Sequence, residues 1–225
     1  MMTELSELFQ TLKTVDTTVF LAVNGCHNDY FDSVMWLVSD RFVWLPMYAA
    51  LLYVLLKNYS YKVVLSVLLA IGVVILFTDS FTSQVVRPWI ARLRPGNLDN
   101  PLSACVHVVD DYRGGAYGCP SNHASNTWGL AFFFTYLFRR YWLSVFLFSW
   151  ALLQCYSRMY LGVHYFGDLL IGVLFALCGS SVVYYMFSRI SGPQYAQDLK
   201  HLYMPVWVGL FILAVIMVSS IFYRV

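Results

Sequence analysis

Residues 157–168 read Ser157-Arg158-Met159-Tyr160-Leu161-Gly162-Val163-His164-Tyr165-Phe166-Gly167-Asp168, and they separate one apolar run that ends near residue 156 from another that continues to residue 187. Three ionisable groups so close to hydrocarbon are costly unless they are used. The stretch therefore reads as a polar turn joining two transmembrane helices, with His164 and Asp168 four residues apart on one face of the second. A carboxylate beside one ring nitrogen fixes the imidazole tautomer and leaves the other nitrogen free as nucleophile or base. Arg158, six residues ahead across a loop containing Gly162, offers the planar fork that matches phosphate oxygens. A His-Asp pair alone reads equally well as a helix-packing hydrogen bond. The Ser-Arg beside it moves the reading toward phosphate chemistry.

The composition around this stretch sets the fold class. Of 225 residues, 60% are hydrophobic and 12% charged, with a mean hydropathy of +0.63, far from the balance of a soluble chain. The expectation is an all-α polytopic membrane protein with six transmembrane helices, at about residues 35 or 42 to 56, 63–86, 124–138, 143–156, 165–187 and 203–222. Residues 3–13 read as an amphipathic interfacial helix, with Leu5, Leu8, Phe9 and Leu12 on one face and Glu4, Glu7 and Lys13 turned away. A second short segment, residues 16–23, stops at Asn24-Gly25, and residues 1–34 together form the interfacial part. No linker or repeat divides residues 1–225, so one domain is expected. The N-terminal residues lack a basic region followed by an unbroken apolar core, so no cleavable signal is expected. The net charge of +2 and the absence of a basic stripe argue against a nucleic-acid partner.

Six spans would put residues 87–95, the loop 96–119 and the stretches at 120–123 and 157–168 on one membrane face. The opposite connections carry Lys57, Lys62, Arg139, Arg140, Arg189 and Lys200 against Asp198 alone, so by the positive-inside rule they are cytoplasmic. The polar stretches then face outward, toward the periplasm if the membrane is a bacterial inner membrane. In Arg87-Pro88-Trp89-Ile90-Ala91-Arg92-Leu93-Arg94-Pro95, Arg87 and Arg94 are separated by close to two helical turns and can converge on one centre, while Arg92 suits snorkelling to headgroups. In Pro120-Ser121-Asn122-His123 the polar residues open a helix, where free N–H groups and the dipole favour an anion. Taken alone, Ser121 is equally an N-cap and His123 a surface imidazole.

These three stretches together resemble the type 2 phosphatidic acid phosphatase superfamily, the membrane phosphatases related to vanadium haloperoxidases. The family pattern is Lys, six residues, Arg-Pro; Pro-Ser-Gly-His; and Ser-Arg, five residues, His, three residues, Asp. It is met by Arg87 with Arg94-Pro95, by Pro120-Ser121-Asn122-His123, and by Ser157-Arg158 with His164 and Asp168. Two positions depart from it: Arg87 stands for the lysine and Asn122 for the glycine. The resemblance implies that His164, aimed by Asp168, attacks phosphorus to give a phosphohistidine. It implies that His123 protonates the departing oxygen, and that Arg87, Arg94, Arg158, Ser121 and the backbone near Asn122 hold the phosphate. No metal or other cofactor is called for, and neighbouring arginines would repel a cation from His123, His164 and Asp168.

The expected substrate is a lipid phosphate reached from the bilayer. By family and topology an isoprenoid diphosphate, undecaprenyl diphosphate, leads, followed by phosphatidylglycerol phosphate, phosphatidic acid and a lipid A phosphate. A phosphotransferase using the same site, or a phospholipid transporter that binds headgroups without chemistry, stays open at this level. So does the oligomeric state. Cys105 and Cys119 on the outer loop can be a disulfide or free thiols. Asp79, inside the second span and about two helical turns before Arg87, is a functional suspect whose task can be to hold that arginine. Tyr112, Tyr117, Tyr165 and Trp128 are candidates for lining a lipid entrance.

Overall fold

The computed structural model describes residues 2–192 and 201–225; Asp198 and Lys200 of the sidedness argument lie outside the described residues. The first helix, α1 (Met2–Asn24), is continuous. Two separate N-terminal segments were expected, but no Gly or Pro interrupts residues 13–16, and the helix runs on to its stop at Asn24 and Gly25. The short α2 (Asp29–Ser39) is capped by Asn28, whose side chain accepts from the Phe31 N–H, and α3 (Leu45–Asn58) begins with Pro46 in its first turn.

The next helix is one continuous rod with a change of winding. It runs as α4 (Tyr61–Ile75), then as π-helical turns over Leu76–Val86, and ends as the single turn α5 (Arg87–Ile90). The wide π winding alters which residues align, so Asp79 does not sit two regular turns behind Arg87 as α-periodicity predicts. Among the described residues, a 3-10 turn at Pro101–Cys105 and four α-helices follow: α6 (Asn122–Phe138), α7 (Tyr141–Tyr160), α8 (Phe166–Ser191) and α9 (Met204–Phe222). Among the described residues, three segments are long and apolar enough to cross a membrane by length and composition: Tyr61–Ile90, Phe166–Ser191 and Met204–Phe222. Their outward faces carry exposed Leu65, Leu69, Leu76, Leu174, Phe211 and Val218, a surface suited to lipid rather than water. The protein is an integral membrane protein.

Helix α6 is the central post, packed on α7, α8, α4 and the π-helical turns. It approaches α8 through small residues. A Cβ on Gly172 would stand 2.8 Å from the Ser121 carbonyl oxygen, and the Ser180 hydroxyl donates to the Gly129 carbonyl at 2.9 Å. Helix α9 closes the bundle against α2 and α3, and α1 lies against α7 and α8. The core between them is aromatic, with Trp44, Phe133 and Tyr160 almost wholly enclosed. Cys105 is exposed, Cys119 is buried, and both are free thiols.

Candidate active site

Ile90 ends the fourth helical rod because Ala91 turns into the left-handed region at φ 50°, and the chain beyond it is extended. Arg94 N–H donates to Ala116 O at 3.1 Å and Gly118 N–H to Arg92 O at 2.9 Å, so residues 92–94 pair with the far end of the outer loop. In extended chain, residues two apart share a face. Arg92 and Arg94 therefore point the same way, and the helical spacing from Arg87 to Arg94 is not what brings the arginines together.

Arg94 is buried at 7% exposure and its guanidinium is shared out. Nε donates to Tyr117 O at 3.1 Å, while Nη1 reaches Val163 O at 3.2 Å and His164 Nε2 at 3.1 Å. Arginine has no acceptor, so the contact with Nε2 requires a lone pair there, and the neutral ring carries its proton on Nδ1. That nitrogen faces Asp168 Oδ2 at 3.6 Å. The tautomer that makes Nε2 a nucleophile is thus the one this surrounding selects. Burial, then Arg94 and Arg158, hold the His164 pKa well below the usual histidine value, so the ring is neutral near pH 7. Burial, then the charges of Arg158 and Arg87, likewise lower Arg94 to about 10.

The turn that carries His164 is fixed by Gly162, which sits at φ +74° and so near the loop that a Cβ would lie 2.6 Å from His107 O. Gly118 makes a similar allowance, since a Cβ there would lie 2.8 Å from Asp168 Oδ2. Asp168 is fully buried at the start of α8. Its Oδ2 accepts the Tyr165 N–H at 3.0 Å and its Oδ1 accepts from Arg92 Nη1 at 3.0 Å. Arg92 is therefore not a snorkelling residue. Its Nη2 also pairs with Asp16 Oδ2 of α1 at 2.5 Å, and its guanidinium lies 3.9 Å from the Tyr165 ring centroid.

Arg87 Nη2 donates to Pro120 O at 2.8 Å and to Asn122 Oδ1 at 2.5 Å. The Asn122 amide in turn donates to Asp79 Oδ1 at 2.6 Å. The two departures from the expected pattern thus touch each other: the asparagine side chain needs a donor that reaches it, and the arginine supplies one. Asp79 holds Arg87 through Asn122.

Ser121 is the N-cap of α6, and its backbone N–H donates to Asp168 O at 3.1 Å, tying α6 to α8 at the site. His123 Nε2–H donates to Ser39 O at 3.1 Å, and Arg158 Nη1 bonds the Ser39 hydroxyl. A cleft of about 340 Å³ opens here, lined by Trp36, Ser39, Arg41, Tyr112, His123 and Arg158. Among the described residues, Nε of Arg87, Nε of Arg158 and Nδ1 of His164 are buried with no hydrogen-bond partner. The two guanidinium donors, gathered near the neutral imidazole whose Nδ1–H is turned to Asp168, fit an anion with several acceptor oxygens.

The comparisons with known proteins agree with this geometry. The sequence profile of the PAP2 superfamily matches residues 61–191, which contain the three polar stretches. A lipid A 4′-phosphatase of Bacteroides thetaiotaomicron is 37% identical over 222 residues, covering 95% of this chain and 99% of the relative. The chain belongs to the PAP2 superfamily. A second relative, a lipid A 4′-phosphatase of Porphyromonas gingivalis, is 32% identical over 177 residues, covering 78% of this chain and 75% of that one. The crystal structure of a PAP2-type phosphatidylglycerolphosphate phosphatase from Bacillus subtilis superposes with a TM-score of 0.60 at 22% identity, covering 82% of this chain and 90% of that structure, and so shares the fold. As a PAP2 protein with these relatives, the chain is a membrane lipid phosphatase, a hydrolase of phosphoric esters.

Of the residues singled out from sequence, this PAP2 site gathers His164, Asp168, His123, Arg87, Arg94, Arg158, Ser121 and Asn122 around the ends of α6, α7 and α8. Sequence reading missed Asp16 and Ser39, which come from α1 and α2 and belong to no spacing pattern. It misread Arg92, although the Arg-Leu-Arg alternation was a signal that two cations could share a face. Trp128 is half-buried, with its Nε1 donating to Cys155 Sγ at 3.4 Å.

Proposed function

We propose that this PAP2 protein removes a phosphate from lipid A through a phosphohistidine on His164. The observation that carries the chemistry is the His164 Nε2 lone pair, held 3.1 Å from Arg94 Nη1 with Nδ1–H turned to Asp168. Bound phosphate takes over that arginine donor and brings phosphorus to Nε2. The lone pair forms the N–P bond as the ester P–O bond breaks, and His123 passes its proton to the departing oxygen. With Nε2–H of His123 committed to Ser39 O, Nδ1 is the atom that delivers this proton; burial and Arg158 lower the His123 pKa to about 3, and Nδ1 takes up the proton as the phosphate dianion binds and offsets those charges. His123 then takes a proton from water, whose oxygen attacks phosphorus, and the N–P bond breaks to release inorganic phosphate and restore the ring. Arg87, Arg94 and Arg158, with Ser121 and Asn122 at the α6 N-terminus, hold the non-bridging oxygens.

The substrate class rests on the two relatives named for lipid A, which favour it over the undecaprenyl diphosphate expected from family and topology. The cleft supports the same choice, because it borders His123 and not His164 and offers Trp36 and Tyr112 to the leaving group. Aromatic faces beside an arginine suit a sugar ring better than an isoprenyl chain. We read the chain as one domain of six spans, α1 as lying along the interface and the site as facing the periplasm, because the described basic connections Lys57, Lys62, Arg139, Arg140 and Arg189 all fall between spans on the opposite side in that arrangement.

The test is phosphate release in detergent and chelator from lipid A, undecaprenyl diphosphate, phosphatidylglycerol phosphate and phosphatidic acid, with His164→Ala as control. Lipid A is expected to have the highest kcat/KM. A tenfold preference for another lipid overturns the substrate assignment, and release by His164→Ala overturns the nucleophile.

A further inference from the structure

We propose that Asp16 of α1, acting through Arg92, is a positioning residue for the phosphate-transfer centre. The proposal rests on the reading of His164 as nucleophile. Asp16 has two partners: Oδ1 accepts the Gly167 N–H at 2.7 Å at the start of α8, and Oδ2 pairs with Arg92 Nη2 at 2.5 Å. Arg92 uses its other terminal nitrogen for Asp168 Oδ1 at 3.0 Å. One planar guanidinium thus bridges two carboxylates, while the Tyr165 ring beneath it and the Tyr165 N–H on Asp168 Oδ2 prevent the assembly from turning.

The charge count explains why the second carboxylate is needed. Arg92 alone would cancel the charge of Asp168 and weaken its pull on His164. Asp16 returns one negative charge to the group. As the His164 lone pair is donated to phosphorus, the ring becomes cationic with its Nδ1–H toward Asp168, so an anion there gains most in the transition state. The effect therefore falls on kcat rather than on lipid binding.

Helix α1 is anchored for this task. Its C-terminal half is pinned by fully buried Phe20 and by Asn24, whose amide donates to His107 O at 2.9 Å and Tyr160 O at 2.7 Å, whereas Leu5, Leu8, Phe9 and Leu12 are exposed. The PAP2 match begins at residue 61, so this contribution comes from outside the matched part of the chain.

A double-mutant cycle on the full chain in detergent, with lipid A as substrate, tests the proposal. Asp16→Asn keeps an acceptor for the Gly167 N–H and removes the charge. It is expected to lower kcat about 10-fold with KM within about twofold, and Arg92→Gln about 100-fold, because loss of the donor that fixes Asp168 Oδ1 lets the carboxylate turn from His164 and outweighs the charge it no longer offsets. The double variant is expected to match Arg92→Gln, because without the bridge Asp16 has no route to Asp168. Asp16→Glu, which keeps the charge, should restore most of the lost kcat. Losses that multiply toward about 1,000-fold, or an Asp16→Asn enzyme with parental kcat, overturn the proposal. If Asp16→Asn is not recovered folded, Arg92→Lys gives the same reading: an ammonium cannot bridge both carboxylates in this geometry, and an unchanged kcat overturns the proposal. Activity in His164→Ala would instead overturn the nucleophile assignment on which the proposal rests.

Discussion

The two sides of the phosphate site are held in different ways. On the side of the proposed nucleophile, His164 and Asp168 sit among full charges from two parts of the chain, Asp16 of α1 and the extended pair Arg92 and Arg94, in buried surroundings. On the side of the proposed acid, His123 and Arg158 both rest on one residue, Ser39, at the end of α2, and border an open cleft. The contrast follows from what each side must do. Attack on phosphorus needs one fixed line of approach, which charges in a buried setting can impose. Departure of a bulky alcohol needs room, so the acid is placed at the edge of a space rather than inside a network.

The comparison can be broken most sharply at its centre. His164→Ala is expected to lose at least about 10⁴-fold in kcat on every substrate, good or poor leaving group alike, because no N–P bond can form. His123→Ala is expected to lose about 10³-fold on a lipid phosphate but little on p-nitrophenyl phosphate, whose leaving group needs no proton. Equal losses on the two substrates would show that the sides do not divide the work. Asn122→Ala is expected to cost about 10-fold in kcat/KM, since Arg87 then loses the acceptor that links it to Asp79. Ser39→Ala removes only a hydroxyl; the backbone carbonyl still holds His123, so a rise of about threefold in KM through Arg158 is expected.

The smallest effect is one of pH on the substrate-free protein. The His164 pKa is depressed in the folded state by burial and by Arg94 and Arg158, so below the ordinary histidine range the unfolded chain binds a proton that the folded one does not. Stability therefore falls as pH drops through about 6.5, by at most about 1.4 kcal/mol per unit for this one group, and is unaffected by it at higher pH. Thermal melts of parent and His164→Asn between pH 7 and 5 should diverge, with the parent the more acid-sensitive.

The sequence by itself determined the class of protein, the long apolar segments, the three polar stretches and the residues in them that meet at the site. It could do so because hydrophobic run length and the residue types that bind phosphate are local properties. The helix starts near residues 61, 122, 141, 166 and 204 were legible for the same reason. Arg92 read as a snorkelling cation, and Asp79 as a charge able to hold Arg87, without the asparagine that links the two. Their roles depend on a left-handed break at Ala91 and on π-helical winding across Leu76–Val86, and neither leaves a periodic trace. Asp16 and Ser39 were not legible at all. A carboxylate on one helix and a carbonyl at the end of another become part of a site only when α1 packs beside α8 and α2 beside α7, and that was decided by the tertiary structure.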